Sequence, residues 1–289
     1  MPIFYQATVC LKYSICHFFF RSSSAHLLVK KNRNDKIENM QSTNEIPRCQ
    51  KCCEDFFCVN TVLNKHCTSE QKRLLQKNIY HHNYKRGEVI FYDFQPAAYT
   101  YIIVSGKVKL WKEGIHTHHM ITSFAKEGDI MGFRGCQRNS NYVLSATAIE
   151  DSRICHIPKD IFMGIINKNQ EMHFNILWHY ITQLERIEKR MRNIAEMNIR
   201  EKTADTLMLL FNEFGLAEDE STINIKLSRE DFASVAGICT DRVVKQFSEF
   251  EEENLIEVKG KSIKIKKLND LQRIIAPYTY TNGLQAINQ

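Results

Sequence analysis

The sequence lacks any long hydrophobic run near its beginning. Residues 15–20 are apolar, but Cys16 and His17 interrupt them, and they fall far short of the roughly 20 apolar residues that a bilayer-spanning helix needs. The sequence also lacks the composition of a disordered chain, since 43% of its 289 residues are hydrophobic and 25% are charged. These absences leave a chain long and apolar enough for two folded domains.

A strong excess of either charge is also missing. The formal net charge of +6 permits nucleic acid as a partner but does not require it. Cysteine, in contrast, is abundant and unevenly placed, because four of the ten cysteines lie between residues 49 and 58. Such clustering is typical of metal ligands rather than of a disulfide framework in a chain of this size. We therefore expect a reducing, cytoplasmic environment.

Residues 1–39 differ in character from the residues that follow. Only Lys12 precedes the apolar stretch, whereas several basic residues come after it, which is the wrong order for a secretory signal peptide. We interpret residues 1–39 as a leader that is not part of the native protein, with translation starting at Met40. Residues 40–71 then form a cysteine-rich N-terminal segment.

The cysteine-rich segment carries Cys49, Cys52 and Cys58 at spacings of three and six. Thiolates are soft ligands that suit iron–sulfur clusters or zinc. From the residues alone, a cluster, a zinc knuckle completed by His66, and cysteines without metal all stay open. A thiol redox or metal enzyme is a further alternative, with Cys52 and Cys53 as nucleophiles and His66 as base. Because no substrate motif adjoins these residues, we do not expect an enzyme.

Residues 72–168 have the pattern of a small β-barrel or jelly roll. Runs of β-branched and aromatic residues recur at about ten-residue steps with glycines between them. The predicted strands are residues 99–105, 108–111, 120–124, 142–149 and 153–157. In the last strand, period-two alternation places Cys155 on a face with Arg153 and Ile157, so it can point toward whatever packs beside the barrel. The alternative is a buried structural cysteine.

Residues 169–198 predict one long helix with a narrow apolar seam. Apolar residues alternate at steps of three and four and are flanked by charged residues, which favours pairing with an equivalent helix over burial in a globular core. The seam contains no charged residue. The predicted dimerisation residues are Leu177, Tyr180, Leu184, Ile187, Met191 and Ile194.

Residues 199–268 predict a helix-turn-helix. Ser228 to Asp231 resembles a capping box that begins a short helix, Gly237 ends that helix, and Thr240 caps a second one. The predicted inward residues of the second helix are Val243, Val244, Phe247 and Phe250. The predicted outward residues are Asp241, Arg242, Lys245 and Gln246, near the end where a recognition helix meets base edges.

A lysine-rich β-hairpin follows the second helix. Its strands, residues 255–258 and 262–266, alternate about a Lys-Gly-Lys turn. Its lysines, with no acid among them, are Lys259, Lys261, Lys264, Lys266 and Lys267. Such a hairpin suits a wing that holds phosphate, although a structural helical hairpin with a solvated lysine strand is the alternative. The predicted DNA-binding residues are Ser228, Arg229, Thr240, Asp241, Arg242, Lys245, Lys259 and Lys261. Residues 269–289 form a tail.

These three units, in this order, resemble the Crp/Fnr family of bacterial transcription regulators. The resemblance covers Lys72 to Leu268 and rests on the motifs at residues 85–91, 103–108, 128–133, 155–158 and 227–256. It implies an α+β protein with an N-terminal β-roll like a cyclic-nucleotide-binding domain, a long dimerisation helix and a C-terminal winged helix-turn-helix.

The resemblance also implies a sensing chemistry. The oxygen-sensing Fnr branch holds a [4Fe-4S] cluster on three N-terminal cysteines and one cysteine of the barrel, which implies Cys49, Cys52, Cys58 and Cys155 as ligands here. The cluster is expected to be labile to oxygen or nitric oxide. Spare thiols are then Cys53, Cys67 and Cys136, and Cys53 can compete as a ligand.

The cyclic-nucleotide branch is a poorer match. Its glutamate for the ribose and its arginine for the phosphate are replaced here by Phe133 and by Asn139-Ser140-Asn141, while Arg134 and Arg138 are displaced from the arginine's place. Binding of cyclic AMP is therefore not expected. A regulator of the same family with haem, for which His81 or His119 is an axial candidate, or with no ligand, is the alternative.

The partners implied by the resemblance are double-stranded palindromic DNA, a second copy of the chain and RNA polymerase, with no membrane. The Fnr branch offers glutamate, serine and arginine to the bases, whereas this chain offers Asp241, Val244 and Lys245, so we expect a different operator. Because the seam is apolar with Ile187 at its centre, we expect a dimer that stays paired without a cluster. Control of DNA binding is then expected to act by rotation of the DNA-binding domains.

Overall fold

Two short helices precede the sheets in the computed structural model, which describes residues 62–114, 119–136 and 141–279. They are α1 (Val62–His66) and α2 (Ser69–Asn78). Thr68 caps α2, because its hydroxyl accepts the amide of Gln71 while the Gln71 side chain accepts the amide of Thr68. This reciprocal cap fixes the residue at which α2 begins, and α2 leads directly into the first strand of the sheets.

The described part of the β-roll contains eight strands: β1 (Tyr80–Tyr84), β2 (Val89–Phe91), β3 (Tyr99–Ser105), β4 (Lys107–Glu113), β5 (His119–Lys126), β6 (Ile130–Met131), β7 (Ser145–Ala148) and β8 (Ser152–Pro158). Among the described residues they form two four-stranded antiparallel sheets, ordered β1-β8-β3-β6 and β2-β7-β4-β5. Each predicted strand overlaps β3, β4, β5, β7 or β8, so the predicted β-roll is confirmed. Strand β5 lies at the edge of its sheet.

Aromatic side chains occupy the interior between the sheets. The ring centroids of Phe91 and Tyr142 lie 4.2 Å apart, and those of Phe91 and Tyr101 lie 5.0 Å apart. At the β3–β4 turn Gly106 has φ of +96°, and a Cβ there would lie 2.2 Å from Oγ of Ser152. Only glycine fits both the backbone conformation and this close approach.

Two helices follow the roll, α3 (Lys159–Lys168) and the long helix α4 (Gln170–Glu196). The long helix was predicted from the apolar period, and Asn169 caps its start by accepting the amide of Met172. A cluster of buried apolar side chains packs the four helices α1, α2, α3 and α4 against the outer face of the β1-β8-β3-β6 sheet. Its members include Leu63, Leu75, Ile102, Cys155, Ile157, Phe162 and Met172.

The C-terminal domain contains α5 (Ile199–Phe214), α6 (Arg229–Ala236), α7 (Thr240–Glu252), β9 (Ile256–Lys259), β10 (Ser262–Ile265) and α8 (Leu268–Thr279). Helix α5 ends at Gly215, as its sequence predicts. The core of this domain is continuous with Trp111, Ile121 and Phe124 of the β-roll, so the two domains share packed apolar surface. None of the helices in the described ranges has the length and hydropathy of a bilayer-spanning segment.

Candidate DNA-binding surface and sensing region

The helix-turn-helix is formed by α6, Gly237 and α7. The Ser228 hydroxyl accepts the amide of Asp231 at 3.0 Å and caps α6, and Gly237 ends it in the left-handed region with φ of +67°. The rings of Phe232 and Phe247 meet edge to face with centroids 4.8 Å apart. This packing sets the angle between α6 and α7.

The outward face of α7 differs from its prediction at two positions. Val243, Phe247 and Phe250 are buried, as their spacing predicts. Val244 was predicted to turn inward, but it is 48% exposed, and Gln246 was predicted to face outward, but it is 5% exposed. Its Nε2 has no hydrogen-bond partner among the described residues. The core therefore includes the 246 position, because it follows Val243 by three residues on the same helical face.

Exposed polar side chains lie near the beginning of α7. Asp241, Arg242 and Lys245 are exposed, and Thr240 is half-buried at the first helical position. Lys245 Nζ lies 3.9 Å from a Glu249 carboxylate oxygen one turn later, an exposed pair that contributes little to stability. The DNA-binding roles of these residues stay predictions.

Two predicted DNA-binding residues already have structural contacts. The Ser228 hydroxyl is engaged as the α6 cap. The Arg229 guanidinium lies 4.9 Å from the centroid of the Phe247 ring, and burial lowers the pKa of Arg229 from its ordinary value. Arg229 thus covers the α6–α7 core with its charged group, which leaves the phosphate contact predicted for it untested.

One acid of the wing pairs with its lysines. No acid lies among the lysines of residues 259–267, but Glu257, which precedes them, pairs with Lys259 at 2.7 Å and with Lys266 at 3.2 Å. Hydrogen bonds from these two lysines lower the pKa of Glu257 to about 2. The sequence pattern did not show the pairing with Lys266, because Glu257 lies in β9 and Lys266 follows β10 on the other strand of the hairpin. Lys259 and Lys261 stay exposed at the turn.

The exposed apolar face of α4 overlaps the predicted dimer seam. Leu177, Leu184, Ile187 and Met191 are exposed, as are Phe174, Trp178 and Ile181, which the prediction omitted. The other two predicted members contact their own chain instead. The Tyr180 ring stacks on Phe133 at 5.9 Å, and Ile194 packs against the turn, where a Cβ added at Gly237 would lie 3.5 Å from it. The exposed stripe is therefore rotated relative to the predicted seam, and Glu188 is exposed beside it.

Cys155 is fully buried on the outer face of the roll, in the cluster that includes Leu63 and Cys67. Cys49, Cys52, Cys53 and Cys58 lie outside the described residues. Within residues 62–114, 119–136 and 141–279, no group of three or more histidine, cysteine, aspartate or glutamate side chains could hold a metal ion. Of the four predicted cluster ligands, Cys155 is thus the one that lies within the described residues.

The spare thiols Cys67 and Cys136 are core residues. Cys67 lies 3.9 Å from the Met172 sulfur, and burial raises the pKa of its thiol to about 11. Cys136 contacts the Thr100 hydroxyl at 3.3 Å, and burial likewise raises its pKa. Both are therefore protonated at neutral pH and poor ligands as they stand.

The histidines considered as alternative ligands occupy separate places. His66 Nδ1 lies 2.8 Å from a Glu171 carboxylate oxygen, His81 pairs with Cys155 across β1 and β8, and the His119 ring lies 4.1 Å from that of Trp111. His66 therefore pairs with an acid of α4, and His119 lies at the surface shared with the C-terminal domain.

The position predicted to exclude a nucleotide is part of the core. Phe133 is buried and its ring lies 5.4 Å from that of Phe162. In the β1-β8-β3-β6 sheet, Tyr84 Oη lies 3.1 Å from Nε2 of His156, whose pKa burial lowers to about 3, with smaller contributions from His82 and His81. Asn139 and Ser140 lie outside the described residues, and Asn141 is exposed. Phe133 therefore belongs to the apolar cluster between the roll and helices α1 to α4, and the expectation that cyclic AMP does not bind stays a prediction.

Comparison with known proteins supports both halves of this architecture. Residues 81–169 match the family model described as "Cyclic nucleotide-binding domain", and residues 201–274 match "Crp-like helix-turn-helix domain". The chain belongs to the Crp/Fnr family of transcription regulators. It is accordingly a DNA-binding transcription regulator of the Crp/Fnr type.

Similar proteins include two named regulators and one solved structure. The Regulatory protein HlyX of Actinobacillus pleuropneumoniae is 24% identical over 77% of this Crp/Fnr chain and 92% of its own length. The Fumarate and nitrate reduction regulatory protein of Escherichia coli is 22% identical over 84% of this chain and 96% of its own. The structure of FixK2 from Bradyrhizobium japonicum aligns with a TM-score of 0.61, 19% identity, and coverage of 68% of this chain and 96% of that chain. The last comparison supports the fold alone.

Contacts between the roll and the C-terminal domain had no signal in the sequence. Lys109 of β4 pairs with Asp231 of α6 at 2.5 Å, and Arg190 of α4 donates hydrogen bonds to carbonyls of both domains. The partners are 45 to 122 residues apart, and neither periodicity nor a motif links them.

Proposed function

We propose that this Crp/Fnr chain acts in the cytoplasm as a homodimer that binds a palindromic DNA site with one winged helix-turn-helix from each subunit. The observation that carries this proposal is the exposed face of α7, where Asp241, Arg242 and Lys245 project near the N-terminal end above a buried core. In helix-turn-helix proteins, this end of the recognition helix contacts base edges in the major groove. RNA polymerase is the further partner proposed for such a regulator.

The exposed side chains differ in what they can read. The Arg242 guanidinium can donate two hydrogen bonds to one guanine, whereas the Lys245 ammonium is a point donor. The Asp241 carboxylate can accept from the amino group of cytosine, and exposed Val244 can contact the methyl group of thymine. This set supports an operator that differs from one read by glutamate, serine and arginine.

A second copy of the chain is the proposed occupant of the exposed α4 face. Leu177, Leu184 and Met191 are 52%, 56% and 67% exposed and recur every seven residues, the spacing of a helix pair. Ile181 and Ile187 flank them and are also exposed. So many large apolar side chains on one helix exceed what an isolated subunit normally exposes to water.

The proposed sensor is a [4Fe-4S] cluster held by Cys49, Cys52, Cys58 and Cys155. When bound, such a cluster supplies a group that oxygen or nitric oxide can destroy. Cys155 supports the assignment, because its side chain lies among the buried apolar side chains that include Leu63 of α1. Helix α1 begins four residues after Cys58, so the chain between them spans at most about 14 Å. This short connection supports Cys58 and Cys155 as ligands of the same cluster.

The experiment that tests DNA recognition is selection of binding sites from a random duplex library, with the protein prepared both without oxygen and in air. We expect enrichment of one palindrome, with Lys245→Ala losing discrimination at one position of each half-site. Lys202 of α5 is half-buried and is not among the predicted DNA-binding residues, so Lys202→Ala is the control and should leave the preferred sequence unchanged. Failure to enrich any sequence in either redox state would contradict the proposal.

A further inference from the structure

The edge strand β5 is bound by side chains from two other parts of the chain. A strand at the edge of a sheet leaves backbone N–H and C=O groups without a partner strand. Here the Ile121 amide donates to Oγ of Ser234 at 2.8 Å, and the Ser234 hydroxyl donates to the carbonyl of His119. Ser234 lies in α6, the first helix of the helix-turn-helix. The edge of the sensor domain is thus hydrogen-bonded directly to the DNA-binding domain.

Arg190 of α4 completes this contact from the other side. Its Nη1 donates to the carbonyl of Thr122 at 2.9 Å, and its Nη2 donates to the carbonyls of Ile121 at 3.0 Å and of Val235 at 2.6 Å. One guanidinium therefore joins the long helix, the sensor strand and α6. Burial lowers the pKa of Arg190 from its ordinary value, yet an arginine stays charged, so moving it away from these carbonyls would leave a costly desolvated cation.

An ion pair extends the contact along α6. Lys109 Nζ in β4 lies 2.5 Å from Oδ1 of Asp231, and both side chains are about four-fifths buried. Asp231 and Ser234 are three residues apart and therefore face the roll together. Asp241, Arg242 and Lys245 stay exposed on α7, so the contact holds the domain without covering its recognition face.

We propose that these contacts form a latch, which consists of the Lys109–Asp231 ion pair, the hydrogen bonds between Ser234 and β5, and the hydrogen bonds of Arg190. The latch fixes the orientation of each DNA-binding domain relative to its sensor domain. Arg190 is the positioning residue, because it lies next to the proposed dimer face. Arg190 immediately precedes Met191, which is exposed on that face. A shift of α4 therefore moves the group that holds both β5 and α6. The proposal rests on the proposed dimer and palindromic site.

A fixed orientation matters because two half-sites must be contacted at once. When two DNA-binding domains are held rigidly, binding of the first to its half-site gives the second a high effective concentration at the other half-site. Loosely held domains lose this advantage. Breaking the latch should lower affinity for the palindrome but not for a single half-site. It should also raise tolerance for half-sites that are moved apart by one or two base pairs.

The first test uses Lys109→Gln and Arg190→Gln on the palindrome selected by the wild-type protein and on a duplex with one half-site. We expect each variant to bind the palindrome about tenfold more weakly or worse, with unchanged half-site binding. Lys112→Gln, in the same strand as Lys109 but 3.9 Å from Asp93 of the roll, is the matched control. Unchanged palindrome binding in both latch variants, or an equal loss on the half-site, would overturn the proposal.

A second test does not require DNA. The Ile121 amide should exchange slowly with deuterium in the wild-type protein and faster in Ser234→Ala, which removes one hydroxyl from a half-buried position. Equal exchange rates would overturn the latch even if DNA binding is normal. If instead the wild-type protein selects no DNA sequence but Ser234→Ala accelerates exchange, the proposed function fails while the domain contact stands.

Discussion

Replacing Lys261 by glutamine should flatten the salt dependence of DNA binding. Lys261 lies exposed at the tip of the wing, directly after Gly260, which has φ of +59° and turns the hairpin. A lysine that neutralises one phosphate contributes about 0.9 to the slope of log affinity against log salt, so its loss from both subunits should lower the slope by about 1.8. Between 50 and 200 mM salt, that difference amounts to roughly a tenfold change in relative affinity.

The assay is fluorescence anisotropy on one duplex over this salt range. Glu257→Gln is the opposite perturbation, because Glu257 pairs with Lys259 and Lys266 and its removal frees both ammonium groups for phosphate. It should strengthen binding at low salt for all sequences alike. A slope that Lys261→Gln leaves unchanged, or a change of sequence preference in either variant, would refute the assignment of the wing to phosphate.

Three further outcomes follow from the geometry. Leu184→Glu should convert the dimer to a monomer in sedimentation experiments, because it places a charge at the centre of the exposed α4 stripe, and a variant that stays dimeric would move the interface elsewhere. Gln246→Leu should raise the free energy of unfolding by about 1 kcal/mol, since the buried Nε2 has no partner among the described residues, and a destabilised variant in denaturant titrations would contradict this. His156 has a pKa of about 3 in the folded protein, below its ordinary value, so the unfolded chain binds a proton at higher pH than the folded chain does. The free energy of unfolding should therefore fall as the pH drops from about 6.5 toward 3, by at most roughly 1.4 kcal/mol per pH unit. His156→Gln should reduce this slope.

Local periodicity predicted the parts of the fold that depend on near neighbours in sequence. The β-roll strands, the long helix, the Ser228 cap and the Gly237 turn all follow from period, caps and glycine. Val244 and Gln246 were assigned to the wrong sides of α7 because a short helix has few positions to define its face, and packing with neighbouring elements decides the borderline ones.

Long-range contacts were beyond the sequence pattern. Tyr180 and Ile194 fit the heptad as well as Leu184 does, but the first stacks on Phe133 of the roll and the second packs on Gly237 of the turn. A heptad identifies apolar positions, whereas only the fold shows which of them face the chain's own domains. The Lys109–Asp231 pair spans 122 residues and illustrates the same limit.

The candidate sensing region was predicted from a resemblance, and the structure adds the position of one member. Cys155 was predicted to point toward whatever packs beside the barrel, and its side chain does lie in the cluster formed with α1 to α4. The ligand role of Cys155, like those of Cys49, Cys52 and Cys58, stays a proposal.

The most direct test of the proposed regulator is an absorption spectrum with iron and acid-labile sulfide analysis, made on the full chain purified without oxygen. We expect a brown protein with about four irons per chain that fades in air. The colour should be lost in Cys155→Ala but kept in Cys67→Ala, whose thiol is buried beside Met172. Iron-free protein prepared without oxygen, or a Cys155→Ala variant with the full iron content and spectrum, would contradict this expectation.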